Sequence, residues 1–220
     1  MGYNNQLDEF ISSKFPGLQL KSPLFYSSEI AIRFELGGNL NEQSRVERVI
    51  HRALSIFNEL NQPTDDVYLT VFVDSWGENP VASFEKDVYE LFLAYASGVR
   101  KEDIDKLEQE FRYKDPDEND DDTVTLRYCT KVKAKDLKVE ELLGAIANRE
   151  MGYEPHIVGD IFLVNETKKS IFYVYDDRGM DVVADDTKTL RVVYDKYNNW
   201  ILDYDRSRID KIFLDNPCGG

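Results

Sequence analysis

Three short apolar runs near the end of the chain constrain its fold more than any other feature. Asp160-Ile-Phe-Leu-Val164, Ser170-Ile-Phe-Tyr-Val-Tyr175 and Met180-Asp-Val-Val-Ala184 have strand length and are rich in β-branched and aromatic residues. Asn165–Lys169 joins the first two, and Asp176-Asp-Arg-Gly179 the second and third, with Gly179 placed to take the left-handed conformation such hairpins favour. The first two runs are apolar on both faces, so they should lie centrally in a sheet covered on each side. Thr187 can then cap a helix carrying Leu190, Val193, Tyr194 and Tyr197, and Asp205 a last one carrying Ile209, Ile212 and Phe213.

The N-terminal part reads as a second set of elements. Leu7, Phe10, Ile11 and Phe15 recur at helical spacing until Pro16-Gly17 stops the run. Glu29–Leu36 alternates as a strand and Gly37-Gly38 breaks it. Asn41 or Ser44 can cap a long helix with Val46, Val49, Ile50, Ala53, Ile56, Phe57 and Leu60 on one face, ended at Gln62-Pro63. Val67–Asp74 is a further strand, so 29–74 forms a strand-helix-strand unit whose strands should run parallel if one sheet holds both. Trp76–Pro80 is a loop, followed by a helix over Phe84–Ala96.

Between 101 and 133 the signals are charged. Ile104, Leu107 and Phe111 fall at intervals of three and four within Lys101–Tyr113, which predicts a solvated helix. Asp115–Asp122 is an acidic loop, and Thr123–Lys133 alternates as a strand whose Lys and Arg residues would guard a sheet edge. Val139–Met151 is a helix with Gly152 as its C-terminal cap. The sum is an α+β chain: one mixed, mostly antiparallel sheet of about six strands with helices packed on it. Its 220 residues suit a single domain, with an N-terminal half over about 20–100, the charged helix and acidic loop over 101–122, and the meander and helices over 123–213.

Charge narrows the partners. Lys plus Arg number 27 against 42 Asp plus Glu, a net −15 that repels nucleic acid and anionic membrane and favours a basic protein partner. The start has neither a basic segment nor an apolar one of signal-peptide type, and no apolar run approaches the roughly 18 residues of a membrane span, so a cytoplasmic location is expected. Cys129 on a strand and Cys218 near the C-terminus make a poor disulfide framework, so both should be thiols.

Several strings resemble a bacterial family catalogued as a domain of unknown function, DUF3885. They are Pro23-Leu-Phe-Tyr26, Ile30-Ala-Ile-Arg-Phe-Glu-Leu-Gly37 and Arg52-Ala53, then Asp160–Asn165, Tyr173–Val182 and Tyr197-Asn-Asn-Trp-Ile-Leu-Asp-Tyr-Asp-Arg206. The resemblance spans about residues 20–213 and excludes the acidic stretch 115–122. Members associated with toxin–immunity loci make neutralisation of a cognate toxin the role that it implies.

The candidate chemical motifs have simpler readings. Asp115, Asp117 and Asn119 occupy positions one, three and five of a calcium loop, but Asp120 stands where glycine is required and Leu126 where the closing glutamate belongs. Asp176, Asp177 and Asp181 around Arg178 fit turn chemistry better than a metal cluster. Glu166-Thr-Lys168 and Asp186-Thr-Lys188 match a nuclease fragment only in a turn and at a helix start. His51 and His156 stand apart from any nucleophile signature. Trp200 reads as a core anchor and Trp76 as an exposed aromatic contact.

The expectation is therefore a non-catalytic, immunity-like binding protein without cofactor or metal, which covers a basic toxin domain. Trp76, Asp117, Asp121, Asp122, Asp176 and Asp177 are its expected contact residues. A carboxylate- or metal-dependent hydrolase using Asp160, Asp176 and Asp181 is one alternative, and a structural or regulatory module within an oligomer another.

Overall fold

The computed structural model describes residues 2–75, 82–114 and 123–214. Among them are six α-helices and seven strands, in the chain order α1-β1-α2-β2-α3-β3-β4-α4-β5-β6-β7-α5-α6. The strands are β1 Ala31–Glu35, β2 Asp66–Ser75, β3 Asp105–Glu110, β4 Val124–Lys133, β5 Asp160–Asn165, β6 Ser170–Val174 and β7 Gly179–Ala184. The helices are α1 Tyr3–Lys14, α2 Glu42–Leu60, α3 Ala82–Tyr95, α4 Val139–Met151, α5 Thr187–Lys196 and α6 Arg206–Leu214. One sheet takes all seven strands in the order β1-β7-β6-β5-β2-β4-β3, and every neighbouring pair is antiparallel. The expected α+β sheet is thus present, with seven strands rather than six and no parallel neighbours.

The meander β5–β6–β7 forms the middle of the sheet, and β6 and β7 are buried along their whole length, as two-sided apolarity requires. Alternation of antiparallel neighbours makes β1 and β2 point the same way, with three strands of the meander between them. The α2 crossover therefore spans strands that the chain supplies only later.

Register assigns the two faces. Ile32, Val182 and Phe172 lie in line on one face, where Phe57 of α2 meets Phe172 edge-on at 5.5 Å. On the same side α3 brings Tyr89 edge-on to Tyr128 at 5.6 Å. The opposite face carries Arg33, Asp181, Tyr173, Phe162, Phe72 and Arg127. That face is covered by α1, which buries Leu7 and Ile11, and by the irregular segment 15–28 with Leu20, Leu24 and Phe25.

Local chemistry sets the ends. Asn41 caps α2 through Oδ1, which accepts from the Ser44 amide at 3.3 Å. Gly152 takes the left-handed conformation at the end of α4, with φ +66. The cap of α5 is Asp186, accepting from the Lys188 amide at 2.8 Å, and not Thr187. Asp205 precedes α6 but spends its carboxylate on Tyr26. Gly179 is not left-handed; it begins β7, where an added Cβ would lie 2.7 Å from the Phe34 carbonyl oxygen.

Residues 101–113 depart most from expectation. Lys101–Asp103 is a single 3₁₀ turn, and Asp105–Glu110 is an edge strand paired with β4. Lys106, Glu108 and Glu110 point to solvent while Asp105, Leu107 and Gln109 are half-covered, a period of two that overrides the helical spacing of Ile104, Leu107 and Phe111. In consequence β4 lies inside the sheet between β2 and β3, and Arg127 is buried under α1, where it donates to Asp8 and Asn4. The charged edge is β3. No helix among the described residues is long and apolar enough to cross a membrane.

Candidate functional site

Placing β1 beside β7 sets Arg33 directly opposite Asp181. The guanidinium forks onto the carboxylate, Nε to Oδ1 at 2.7 Å and Nη2 to Oδ2 at 2.9 Å, while the Phe25 amide donates to Oδ2 at 2.9 Å. Three rings surround the same cation: Phe25 at 5.1 Å, Tyr26 at 4.9 Å and Tyr175 at 5.4 Å. Burial alone would lower the Arg33 pKa, but the Asp181 bonds more than offset it and the net shift is upward. Burial, reinforced by the Asp181 charge, pushes Tyr175 up. Arg33 Nη1 also lies 3.8 Å from Asp205, whose other oxygen accepts from the Tyr26 hydroxyl at 2.9 Å.

Two further arginines stand beside this pair. In the β6–β7 turn, Asp176 accepts from the Arg178 amide and Nε, each at 2.7 Å, and pairs with Arg178 Nη2. Its neighbour Asp177 pairs with Arg45 from the first turns of α2. Arg45 Nη1 donates to the Gly38 carbonyl at 2.7 Å, and the Gly37 amide donates to the Asp177 carbonyl at 3.0 Å. A Cβ on Gly37 would lie 2.8 Å from Arg45 Cγ, so the bare backbone is what admits the arginine here.

Arg33, Arg45 and Arg178 line one open cleft of about 550 Å³, with Pro23, Tyr175 and Leu202 among its other walls. Among the described residues the one acidic side chain lining it is Glu35, which faces Arg52 at 3.7 Å and Arg48 at 4.0 Å. The strings that carry the family resemblance meet here: Pro23–Tyr26, Ile30–Gly37, Tyr173–Val182 and Tyr197–Arg206 are distant in sequence and adjacent around the cleft. Arginines remain protonated at any ordinary pH, so the three guanidiniums can bind and orient a group but do not exchange protons with it.

A second network lies further along the same face. Arg112 donates to Asp74 at 2.5 Å, to Asp160 at 2.9 Å and to the Leu20 carbonyl at 2.8 Å. Burial works against its charge, the two carboxylates favour it, and the net effect is a raised pKa. Tyr173 links this network toward Asp181, because its hydroxyl lies 3.4 Å from Asp160 and its backbone sits opposite Asp181.

The contact residues expected from sequence fall in two places. Trp76, Asp117, Asp121 and Asp122 lie outside the described residues. Asp176 and Asp177 are buried and turned onto Arg178 and Arg45. The three carboxylates of the hydrolase alternative are not brought together: Asp160, Asp176 and Asp181 pair with Arg112, Arg178 and Arg33 respectively. Among the described residues no three His, Cys, Asp or Glu side chains gather as metal ligands. Glu166 receives Tyr68 and Lys131, and His156 lies beside Glu154. Trp200 stacks on Tyr197 at 4.5 Å, with Arg52 at 5.2 Å and His51 edge-on at 5.9 Å.

Arg33 and Arg45 escaped sequence reasoning, and Asp181, read as turn chemistry, was not matched to Arg33, although it interrupts an otherwise apolar run. An acid inside a buried strand demands a cationic partner, and that was the available signal.

Sheet and cleft together define an α+β protein whose most organised polar feature is a set of arginines oriented by buried aspartates. The chain belongs to the family described as "Domain of unknown function (DUF3885)", whose model matches residues 7–205. It is similar to "Uncharacterized protein YnaE" of Bacillus subtilis (strain 168), at 30% identity over 209 residues, covering 89% of this chain and 96% of that one. No solved structure matches it.

Proposed function

We propose that the protein is a non-catalytic, cytoplasmic binding protein that neutralises a basic partner by covering it, in the manner of an immunity protein. One observation carries the reading. Among the described residues the buried charged side chains are Arg52, Arg112 and Arg127 against Asp65, Asp176, Asp177, Asp181 and Asp205, so burial there hides little of the chain's net −15. An acidic exterior on a rigid scaffold speeds encounter with a cationic surface and suppresses encounters with nucleic acid. The family resemblance supplies the toxin–immunity context.

The test is co-expression with the product of an adjacent toxin gene. Growth should be restored, and the two proteins should co-elute on size exclusion. Replacing Asp117, Asp121 and Asp122 by lysine should slow association at low salt, with the difference shrinking as salt rises. Failure to restore growth, with no complex formed, would sink the reading.

A further inference from the structure

Net charge makes the cleft on β1 unexpected. On a protein of net −15, three of the four charged residues that line it among the described residues are arginines. Each is held from behind by its own aspartate: Arg33 by Asp181, Arg45 by Asp177 and Arg178 by Asp176. All three aspartates are buried, so the guanidiniums are oriented before any ligand arrives. The aspartates do not occupy every donor. Among the described residues, Arg178 uses Nε and Nη2 on Asp176, leaving Nη1; Arg45 uses Nε and Nη1, leaving Nη2; and Arg33 Nη1 has only Asp205 at 3.8 Å. The negative lining residue, Glu35, is engaged by Arg48 and Arg52.

We propose that this cleft binds a small anionic molecule through a phosphate or carboxylate group set among Arg33, Arg45 and Arg178. Planar guanidiniums grip such groups through paired N–H bonds, and orientation by buried acids reduces the entropy lost on binding. A volume of about 550 Å³ exceeds a bare anion, so the ligand has a body that rests against Pro23, Tyr175 and Leu202. This site is independent of the proposed protein partner, and either can fail alone.

The test is isothermal titration of the full chain with two probe series, adenosine monophosphate with pyrophosphate and citrate with succinate. Saturable one-to-one binding is expected in one series, and that series identifies the head group. Arg178→Gln, a change at an exposed side chain, should weaken it about tenfold or more, the scale of one charge-assisted bond. Glu35→Gln should tighten it, and Arg100→Gln, remote and exposed, should leave it unchanged. Thermal midpoints confirm that each variant is folded. Absence of saturable binding in both series, or binding indifferent to both Arg178→Gln and Glu35→Gln, overturns the proposal.

Discussion

Arg33 and Asp181 are 148 residues apart in sequence and joined by two hydrogen bonds of 2.7 and 2.9 Å in the interior. The carboxylate is wholly buried and the arginine side chain 11% exposed. Removing one member leaves an uncompensated buried charge, so Asp181→Ala should cost about 3–5 kcal/mol in urea unfolding. Arg33→Met combined with Asp181→Leu should recover a large part of that loss, because an apolar pair needs no desolvation. A double variant as unstable as the single one would show that the pair does more than neutralise itself.

Arg112 joins Asp74, Asp160 and the Leu20 carbonyl. Lysine carries the charge but lacks the fork, so Arg112→Lys should destabilise by about 2 kcal/mol and Arg112→Met by about 3–5. Because one of the lost bonds anchors the segment 15–28, limited proteolysis of Arg112→Met should cut there first. Cleavage confined to other regions would contradict the anchoring role.

Glycines separate backbone demand from side-chain space. Gly144, inside α4, offers an added methyl an ordinary contact with Ile50 Cδ1 at 3.5 Å, so Gly144→Ala should stabilise by about 0.5–1 kcal/mol. Gly179→Ala should destabilise, since its Cβ would press on the Phe34 carbonyl. Thermal midpoints of the two variants should move in opposite directions.

Burial pushes the Cys129 thiol up to about 12. Unfolded, it titrates near ~8.5, so the folded state holds the extra proton between the two values. Its contribution to stability is complete below about pH 8.5 and is lost as pH rises toward 12, at up to ~1.4 kcal/mol per pH unit. In a Cys218→Ala background, thiol reagents should react with Cys129 only after unfolding. Cys129→Ala should flatten the alkaline stability loss but not abolish it, because burial also raises Tyr68, Tyr173 and Tyr175.

What the sequence disclosed depended on where each element finds its partner. β5 and β6 carry their own signal, apolar on both faces, β7 follows them across a short turn, and α2 and α4 carry helical stripes with caps. β3 has no such signal: Asp-Lys-Leu-Glu-Gln-Glu becomes a strand only because β4 lies beside it. The cleft was hidden for the same reason. Its arginines come from β1, α2 and the β6–β7 turn, and only the register of β1 on β7 and the packing of α2 bring them together.

The segment before β1 is fastened to residues far downstream: Asn4 and Asp8 to Arg127, Leu20 to Arg112, Phe25 to Asp181 and Tyr26 to Asp205. During translation this segment leaves the ribosome well before the residues that seat it. At about 5–20 residues per second, Tyr26 waits roughly 10–40 s for Asp205, 179 positions later, to be synthesised. Until β4 is made Leu7 and Ile11 lack their cover, and Phe25 lacks its Asp181 anchor until β7 is made, so a nascent chain released early would present them to chaperones and proteases.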